Sequence, residues 1–252
     1  MIRSVSLISM NDPMWSIIAH ERTRKPATMN SMIVITGASD GLGYELAKLY
    51  QNAGKTVVNI SRRACSVADY NLLHDLAVGD EIEAAAQEVL ALTEPLEILI
   101  NNAGVYSEQP IGNITEGEVA RLMDANVKSN ILLTSSLLDR IKKDGTDILN
   151  VVSTAGRKGN PSHAVYAASK WAQRGYTEAL QAELKDTPSR VIVFCPGGMK
   201  TKLFEKSLGH DPTDDGTDWM NPADVAVFAK QILDLPKNME VSEVVINRKR
   251  AR

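Results

Sequence analysis

A single doubly wound α/β domain with a mostly parallel seven-stranded sheet is the fold class predicted by three features of this 252-residue sequence. Short runs of β-branched apolar residues recur between longer segments whose apolar residues fall three or four apart, the pattern of buried parallel strands alternating with covering helices. The first run, Ile33-Val34-Ile35-Thr36, stops at Gly37-Ala38-Ser39-Asp40-Gly41-Leu42-Gly43, and Leu42, Leu46, Leu49 and Tyr50 then continue at helical spacing. No repeat, low-complexity stretch or composition shift divides the chain after that point, so one domain is expected over residues 32–252.

The elements follow in order. A helix begins close to Gly41, with Gly54 placed to end it, and residues 56–60 form the second strand. Residues 71–76 read as a weak third strand, and only nine residues, 62–70, precede it, so the connecting helix is expected to be a stub. A helix starts near Asp80, with Ile82, Ala85, Ala86, Val89 and Leu90 on one face, and residues 96–100 are the fourth strand. Thr115 and Glu118 have the spacing of a capping box that opens a long helical region reaching about Lys142. Residues 147–152 are the fifth strand, and a helix over 164–185 repeats Ala168, Trp171, Ala172, Gly175, Tyr176, Ala179 and Leu180 at helical spacing. Residues 190–194 are the sixth strand, Asn221-Pro222 opens a helix running through Leu235, and residues 243–246 close the sheet.

Residues 1–31 mix Arg, Ser, Asn and Pro with isolated apolar residues and lack signal-peptide architecture; Asp12 and Glu21 interrupt a transit-peptide pattern. They read as a leader loosely attached outside the domain, and a chain starting at Met32 is expected to fold and bind its ligand. The net charge of −3, sequence pI near 5.9 and 23% charged residues give no basis for a nucleic-acid partner, and no apolar run approaches the ~18 residues needed to span a membrane. Cys65 and Cys195 would lie about four strands apart, ~19 Å against a disulfide limit of ~7 Å, which points to a reducing compartment, the cytoplasm.

The turn from Gly37 to Gly43 has the geometry that binds a pyrophosphate, because unpaired N–H groups and the positive dipole end of the following helix face the anion. Glycine allows the approach, since a Cβ there would hold phosphates off the backbone. Ligands of such sheets bind at the carboxyl ends of the strands, where the remaining motifs also fall. Tyr166 and Lys170, four apart, share one helix face, and an ammonium beside a phenol lowers its pKa toward the range useful for acid/base work. Ser153, thirteen positions earlier at the end of the fifth strand, is close enough to hold a substrate oxygen.

In Thr36-Gly37-Ala38-Ser39-Asp40-Gly41-Leu42-Gly43, Asn101-Asn102-Ala103-Gly104, Asn126, Ser153, Tyr166-x-x-x-Lys170 and Pro196-Gly197-Gly198-Met199-Lys200-Thr201, the chain resembles the short-chain dehydrogenases/reductases of the compact, non-extended branch, over Met32 to about Arg248. The resemblance implies a Rossmann domain and an oxidoreductase that transfers hydride between a nicotinamide cofactor and a small carbonyl or secondary alcohol. It implies that Tyr166 is the general acid/base, that Ser153 orients the substrate oxygen, that Lys170 binds the nicotinamide ribose and tunes Tyr166, and that Asn126 holds a water behind Lys170. Gly37, Ser39, Gly41, Leu42 and Gly43 would cradle the cofactor. Asn102, Ala103 and Gly104 would support its ribose side, Pro196, Gly197, Met199 and Thr201 its nicotinamide and pyrophosphate, and Asp75 with Leu76 its adenine. Relatives pair the helical regions 116–142 and 164–185 across a two-fold axis, which implies a homodimer or homotetramer, with Ala168, Ala172 and Gly175 permitting close approach.

Cofactor choice is legible after the second strand. An acidic residue there would bind the NAD ribose, whereas this chain has Ser61-Arg62-Arg63, two guanidiniums suited to the NADP 2′-phosphate. Asp40 argues the other way, since NADP-using relatives often carry a basic residue at that position; NADP is nonetheless expected over NAD. The segment 202–221, with Glu205, Asp211, Asp214, Asp215 and Asp218, reads as a short, solvated flap; a calcium loop starting at Asp211 fails because Pro222 stands where a Glu is required. Val105, Tyr106, Ala155, Trp219 and Met220 would line a mostly apolar substrate site. His20, His74, His163 and His210 have no metal-ligand spacing and read as surface or structural, and the basic tail from Arg248 to Arg252 as a solubilising end. Two alternatives remain in view. A catalytically silent NAD(P)-sensing protein would not need Asn126, Ser153, Tyr166 and Lys170 together, and a sugar-nucleotide epimerase would need a larger substrate region than the fifty or so residues after Thr201.

Overall fold

Strands buried on both faces need apolar residues at consecutive positions, and β1 (Met32–Thr36) shows the consequence: Ile33 and Ile35 enter one core while Met32 and Val34 enter the other. The computed structural model describes residues 30–210 and 218–249. The leader up to residue 29, Asp211, Asp214 and Asp215 of the acidic segment, and Arg250 and Arg252 of the tail lie outside the described residues. Six further strands join β1: β2 (Thr56–Ile60), β3 (Tyr70–Leu72), β4 (Leu96–Asn101), β5 (Asp147–Val151), β6 (Val191–Pro196) and β7 (Glu243–Ile246). They form one sheet in the order β3-β2-β1-β4-β5-β6-β7, and every pairing is parallel.

The helices are α1 (Gly41–Asn52), α2 (Gly79–Ala91), α3 (Glu116–Met123), α4 (Ser129–Ser136), α5 (Leu138–Asp144), α6 (Ala164–Leu184), α7 (Lys202–Leu208) and α8 (Pro222–Leu233). α1 and α8 cover one face through Leu42, Leu46, Tyr50, Val225, Ala229 and Leu233. α2, α4, α5 and α6 cover the other through Ile82, Val89, Leu133, Ile141, Leu180 and Leu184. The strand order reverses between β1 and β4, so a crevice opens at their carboxyl ends, the place where doubly wound sheets bind ligands.

Several elements differ from expectation. β3 ends at Leu72 rather than 76, because the chain turns at Asp75: its side chain accepts from Ala77 N (3.0 Å), and its own N–H donates to Glu81 (2.6 Å). No helix, not even a stub, links β2 to β3. The long helical region is interrupted by a π turn over Asp124–Lys128 and again at Leu137, whose φ of −94° and ψ of 1° leave the helix. Thr115 caps α3 by accepting from Glu118 N (3.2 Å), but the Glu118 carboxylate turns to Arg121, so the box is half made. α8 stops at Leu233, short of 235. α7, which the sequence pattern did not suggest, starts at Thr201, whose hydroxyl accepts from Leu203 N, and ends at left-handed Gly209.

The sheet face of α6 is polar. The residues turned to the sheet are Tyr166, Ser169, Lys170, Gln173, Thr177 and Leu180, mostly polar, whereas Trp171 is 49% exposed and Gly175 is open. Buried partners explain this: Asn150 in β5 donates to Thr177 Oγ1 (2.9 Å), and Asn126 donates to Ser169 Oγ (3.0 Å). Helical periodicity finds the apolar stripe, which here points outward.

Candidate active site

The site grows from the turn between β1 and α1. Gly37 and Gly41 have φ of +70° and +57°, a region that side chains with a Cβ rarely enter. Gly43 is required by a close approach instead: a Cβ there would lie 2.5 Å from Gly37 O and 2.6 Å from Asn102 Nδ2. That contact seats α1 against the end of β4, where Asn102 donates to Thr36 O and Gly37 O and the Thr36 hydroxyl accepts from Asn102 N and Ala103 N. Asp40, at the N-cap, makes no capping bond, so the first N–H groups of α1 are left for a ligand. These uncapped donors beside a glycine cradle fit a pyrophosphate.

Asp40 turns instead to Arg63 and Lys206. Burial opposes its ionisation, but the two cations outweigh it and hold the carboxyl below its usual range. Arg63 also donates to Ser39 Oγ (3.2 Å), and Arg62, 70% exposed, lies 3.7 Å from Asp75. Asp40 is thus neutralised from two sides, and Lys206 of α7 reaches across the crevice to do it.

At the carboxyl end of β5, Ser153 accepts from Ala155 N (3.1 Å), and its side chain borders the same cavity as Tyr166. Burial pushes the Tyr166 phenol up to about 12, although the nearby Ser153 hydroxyl works against it. Burial also pulls the Lys170 amine down to about 7. Lys170 Nζ donates to Gln173 Oε1 (2.7 Å) and Val151 O (3.2 Å) and lies 5.9 Å from the Tyr166 ring centroid. In the protein alone burial thus raises the phenol and lowers the amine, whose hydrogen bonds go to Gln173 and Val151; the expected lowering of the Tyr166 pKa belongs to a site that also holds an oxidised nicotinamide ring. Asn126, carried inward by the π turn, accepts from Val105 N (2.7 Å) and donates to Val105 O and Ser169 Oγ. Its amide donors are both committed to the chain, which pins the loop after β4 to α6.

These groups border one cavity of about 1050 Å³ that runs from the glycine turn to the lid helix α7. Of the residues expected to bind a cofactor, Gly37, Ser39, Gly41, Leu42, Ser61, Arg62, Arg63, Asp75, Leu76, Asn102, Ala103, Gly104, Tyr166, Lys170, Pro196, Gly197, Met199 and Thr201 all line it. Ser153 lines it too; Gly43 and Asn126 stand behind its wall. The end beyond Tyr166 is more polar than expected. Val105, Tyr106, Ala155 and Trp219 are present, but Met220 is replaced by Glu108, Asn160 and His163. Tyr106 is its hub: its hydroxyl meets His163 Nε2 (2.8 Å) and Glu108 (3.1 Å), and its ring stands edge-on to Tyr166 (5.0 Å) and Phe204 (4.9 Å).

Sequence reasoning missed Gln173, His163, Glu108 and Phe204. His163, read as structural, sits just before α6 and could have been found from its place three residues before Tyr166; Gln173 carried no comparable signal.

With this geometry in hand, the comparisons become informative. The sequence model described as short chain dehydrogenase matches residues 31–211. Dehydrogenase/reductase SDR family member 7B of Rattus norvegicus is 30% identical over 211 residues, covering 76% of this chain and 65% of that protein, so the chain spans just under two thirds of that relative's length. The 3-ketoacyl-(acyl-carrier-protein) reductase of Brucella melitensis, solved with NADH, is 26% identical with a TM-score of 0.77, covering 87% of this chain and 98% of that one. The closed form of a serine dehydrogenase with NADP+ is similar in fold, with a TM-score of 0.78 at 22% identity, covering 85% and 94%.

Proposed function

Because the chain belongs to the short-chain dehydrogenase family of NAD(P)-dependent oxidoreductases, we propose that it is an NADP-dependent enzyme reducing a small carbonyl compound to a secondary alcohol. The observation that carries this reading is that Ser153, Tyr166 and Lys170 line the same cavity as the glycine turn. When bound, a reduced nicotinamide supplies hydride to a carbonyl carbon. Tyr166 then gives its proton to the carbonyl oxygen, and Ser153 holds that oxygen in place. Lys170 would bind the ribose, and Asn126 fixes the loop after β4 through Val105. The Tyr106, Phe204 and Trp219 rings with His163, Asn160 and Glu108 favour an apolar substrate that ends in a hydrogen-bonding group.

NADP is favoured by Arg62 and Arg63 and by the absence of a carboxylate at the end of β2. The structural neighbours include one with NADP+ and one with NADH, so the choice rests on these arginines. Arg62, the less engaged of the two, is expected to carry the larger share. One charge-assisted contact contributes ~1.5–3 kcal/mol, so Arg62→Asp is expected to weaken NADPH binding roughly tenfold or more while improving NADH binding. Fluorescence titration of both cofactors checks this; a wild type that binds NADH as tightly as NADPH contradicts it.

The proposal extends to assembly and location. Ala168, Trp171, Gly175 and Ala179 form an exposed stripe on α6, and Leu132 of α4 is 40% exposed. A second copy of the chain covering this face gives a homodimer or homotetramer, and light scattering at micromolar concentration should return a multiple of 27.5 kDa. A monomer mass overturns it. Cys65 and Cys195 are free and buried, and among the described residues no helix is long and apolar enough to cross a membrane; the cytoplasm is the proposed compartment.

A further inference from the structure

Gln173 lies one helical turn beyond Lys170 on α6, and both side chains are buried, with Gln173 only 1% exposed. It accepts the shorter of the two hydrogen bonds that Lys170 makes, 2.7 Å against 3.2 Å to Val151 O. Both acceptors are neutral. Among the described residues no carboxylate comes within ion-pair distance of Lys170. The titratable groups that face it are Tyr166 on the same helix and Cys195 from β6, whose thiol burial pushes up to about 11 and so keeps uncharged. Beyond Cys195, Glu243 of β7 is paired with Arg174 of α6 at 3.0 Å. From the loop after β4, uncharged Gly104 comes close, a Cβ there lying 3.7 Å from Lys170 Nζ.

We propose that Gln173 is a positioning residue that acts through Lys170, its amide oxygen holding the amine at the end of β5 and favouring the ammonium over the free amine. A hydrogen bond from a charged donor is about twice as strong as one from a neutral donor, so the acceptor selects the charged form. The choice matters because burial brings the amine close to its midpoint at neutral pH. A carboxylate in the same place would fix the charge, but it would also bind the ammonium tightly and hold it from Tyr166. The amide avoids that. The helix backbone that carries it is tied to the sheet: the main-chain carbonyl of Gln173 accepts from Thr177 Oγ1 (2.7 Å), which accepts from Asn150 Nδ2 (2.9 Å) in β5, the strand that also presents Val151 O.

The inference concerns the charge of Lys170 in the protein alone, so it stands or falls independently of the cofactor and substrate. The test is the pH titration of the Lys170 Cε resonance in protein carrying isotope-labelled lysine, assigned by its loss in Lys170→Arg. Gln173→Met keeps the length and removes the acceptor, and its midpoint is expected to fall by about one pH unit. Gln173→Glu supplies a carboxylate, and its midpoint is expected to rise by about one unit or more. Melting temperatures of both variants are measured alongside. Should Gln173→Met fail to fold, Gln173→Glu decides. A midpoint that stays within about 0.3 unit of wild type in the folded variants, with only the melting temperature changed, would mean a merely structural role and overturn the proposal.

Discussion

Tyr166→Phe is expected to bind NADPH like the wild type and to lose at least ~10²-fold, and up to ~10⁴-fold, in kcat, the usual contribution of a positioned general acid. In the proposed mechanism the phenol donates to the substrate oxygen, and phenylalanine keeps the ring that packs edge-on against Tyr106 at 5.0 Å. The fold should therefore survive, with the melting temperature within a few degrees. Removing the hydroxyl leaves Ser153 its bond to Ala155 N, so its orienting role persists and some activity remains. Turnover near the wild-type rate with intact NADPH binding contradicts the assignment.

Arg190→Leu is expected to carry the largest stability loss in the molecule. Arg190 is 7% exposed and Asp147 2%. The guanidinium donates to both Asp147 oxygens (3.1 and 2.7 Å) and to the carbonyls of Leu233, Leu235, Pro236 and Met239, so it ties β5 and the start of β6 to the end of α8. Leucine removes the guanidinium from four carbonyls and leaves the buried carboxylate with the half-exposed Lys237 and the main-chain N–H of residue 190. Breaking a buried pair in this way costs about 3–5 kcal/mol. At about 2–4 °C per kcal/mol for a chain of this size, the melting temperature should fall by roughly 6–20 °C. NADPH binding by the folded fraction should be unchanged, since the clamp lies at the amino ends of the strands, away from the crevice. A fall of under about 2 °C contradicts the account.

How far the sequence could be read follows from the range over which each interaction acts. The glycine turn, the buried strands and the Tyr166–Lys170 spacing are local, and local sterics and periodicity impose them wherever such residues occur. The two-sided core followed from the alternation of elements alone. The clamp on Arg190 joins residues 43 apart to Asp147 and up to 49 apart to Met239, so nothing near either end announces it. The same is true of Asp40, which appeared to argue against a phosphate until Lys206, 166 residues away, was seen to share it. The sheet side of α6 was not legible because it is polar and satisfied by Asn126 and Asn150, partners distant in sequence. The end of β3 was misplaced because the Asp75 turn depends on its own side chain and on Glu81, not on apolar patterning.

The central claim is that this cavity carries out NADPH-dependent carbonyl reduction through Tyr166. Its most direct test is the loss of NADPH fluorescence when the full chain is offered a panel of small aldehydes and ketones, apolar ones ending in a hydrogen-bonding group included. The account predicts consumption of NADPH with at least one carbonyl by the wild type, much slower consumption with NADH, and almost none by Tyr166→Phe. Tight binding of NADPH without consumption on any member of the panel would contradict it, and would favour a protein that senses the cofactor without turning it over.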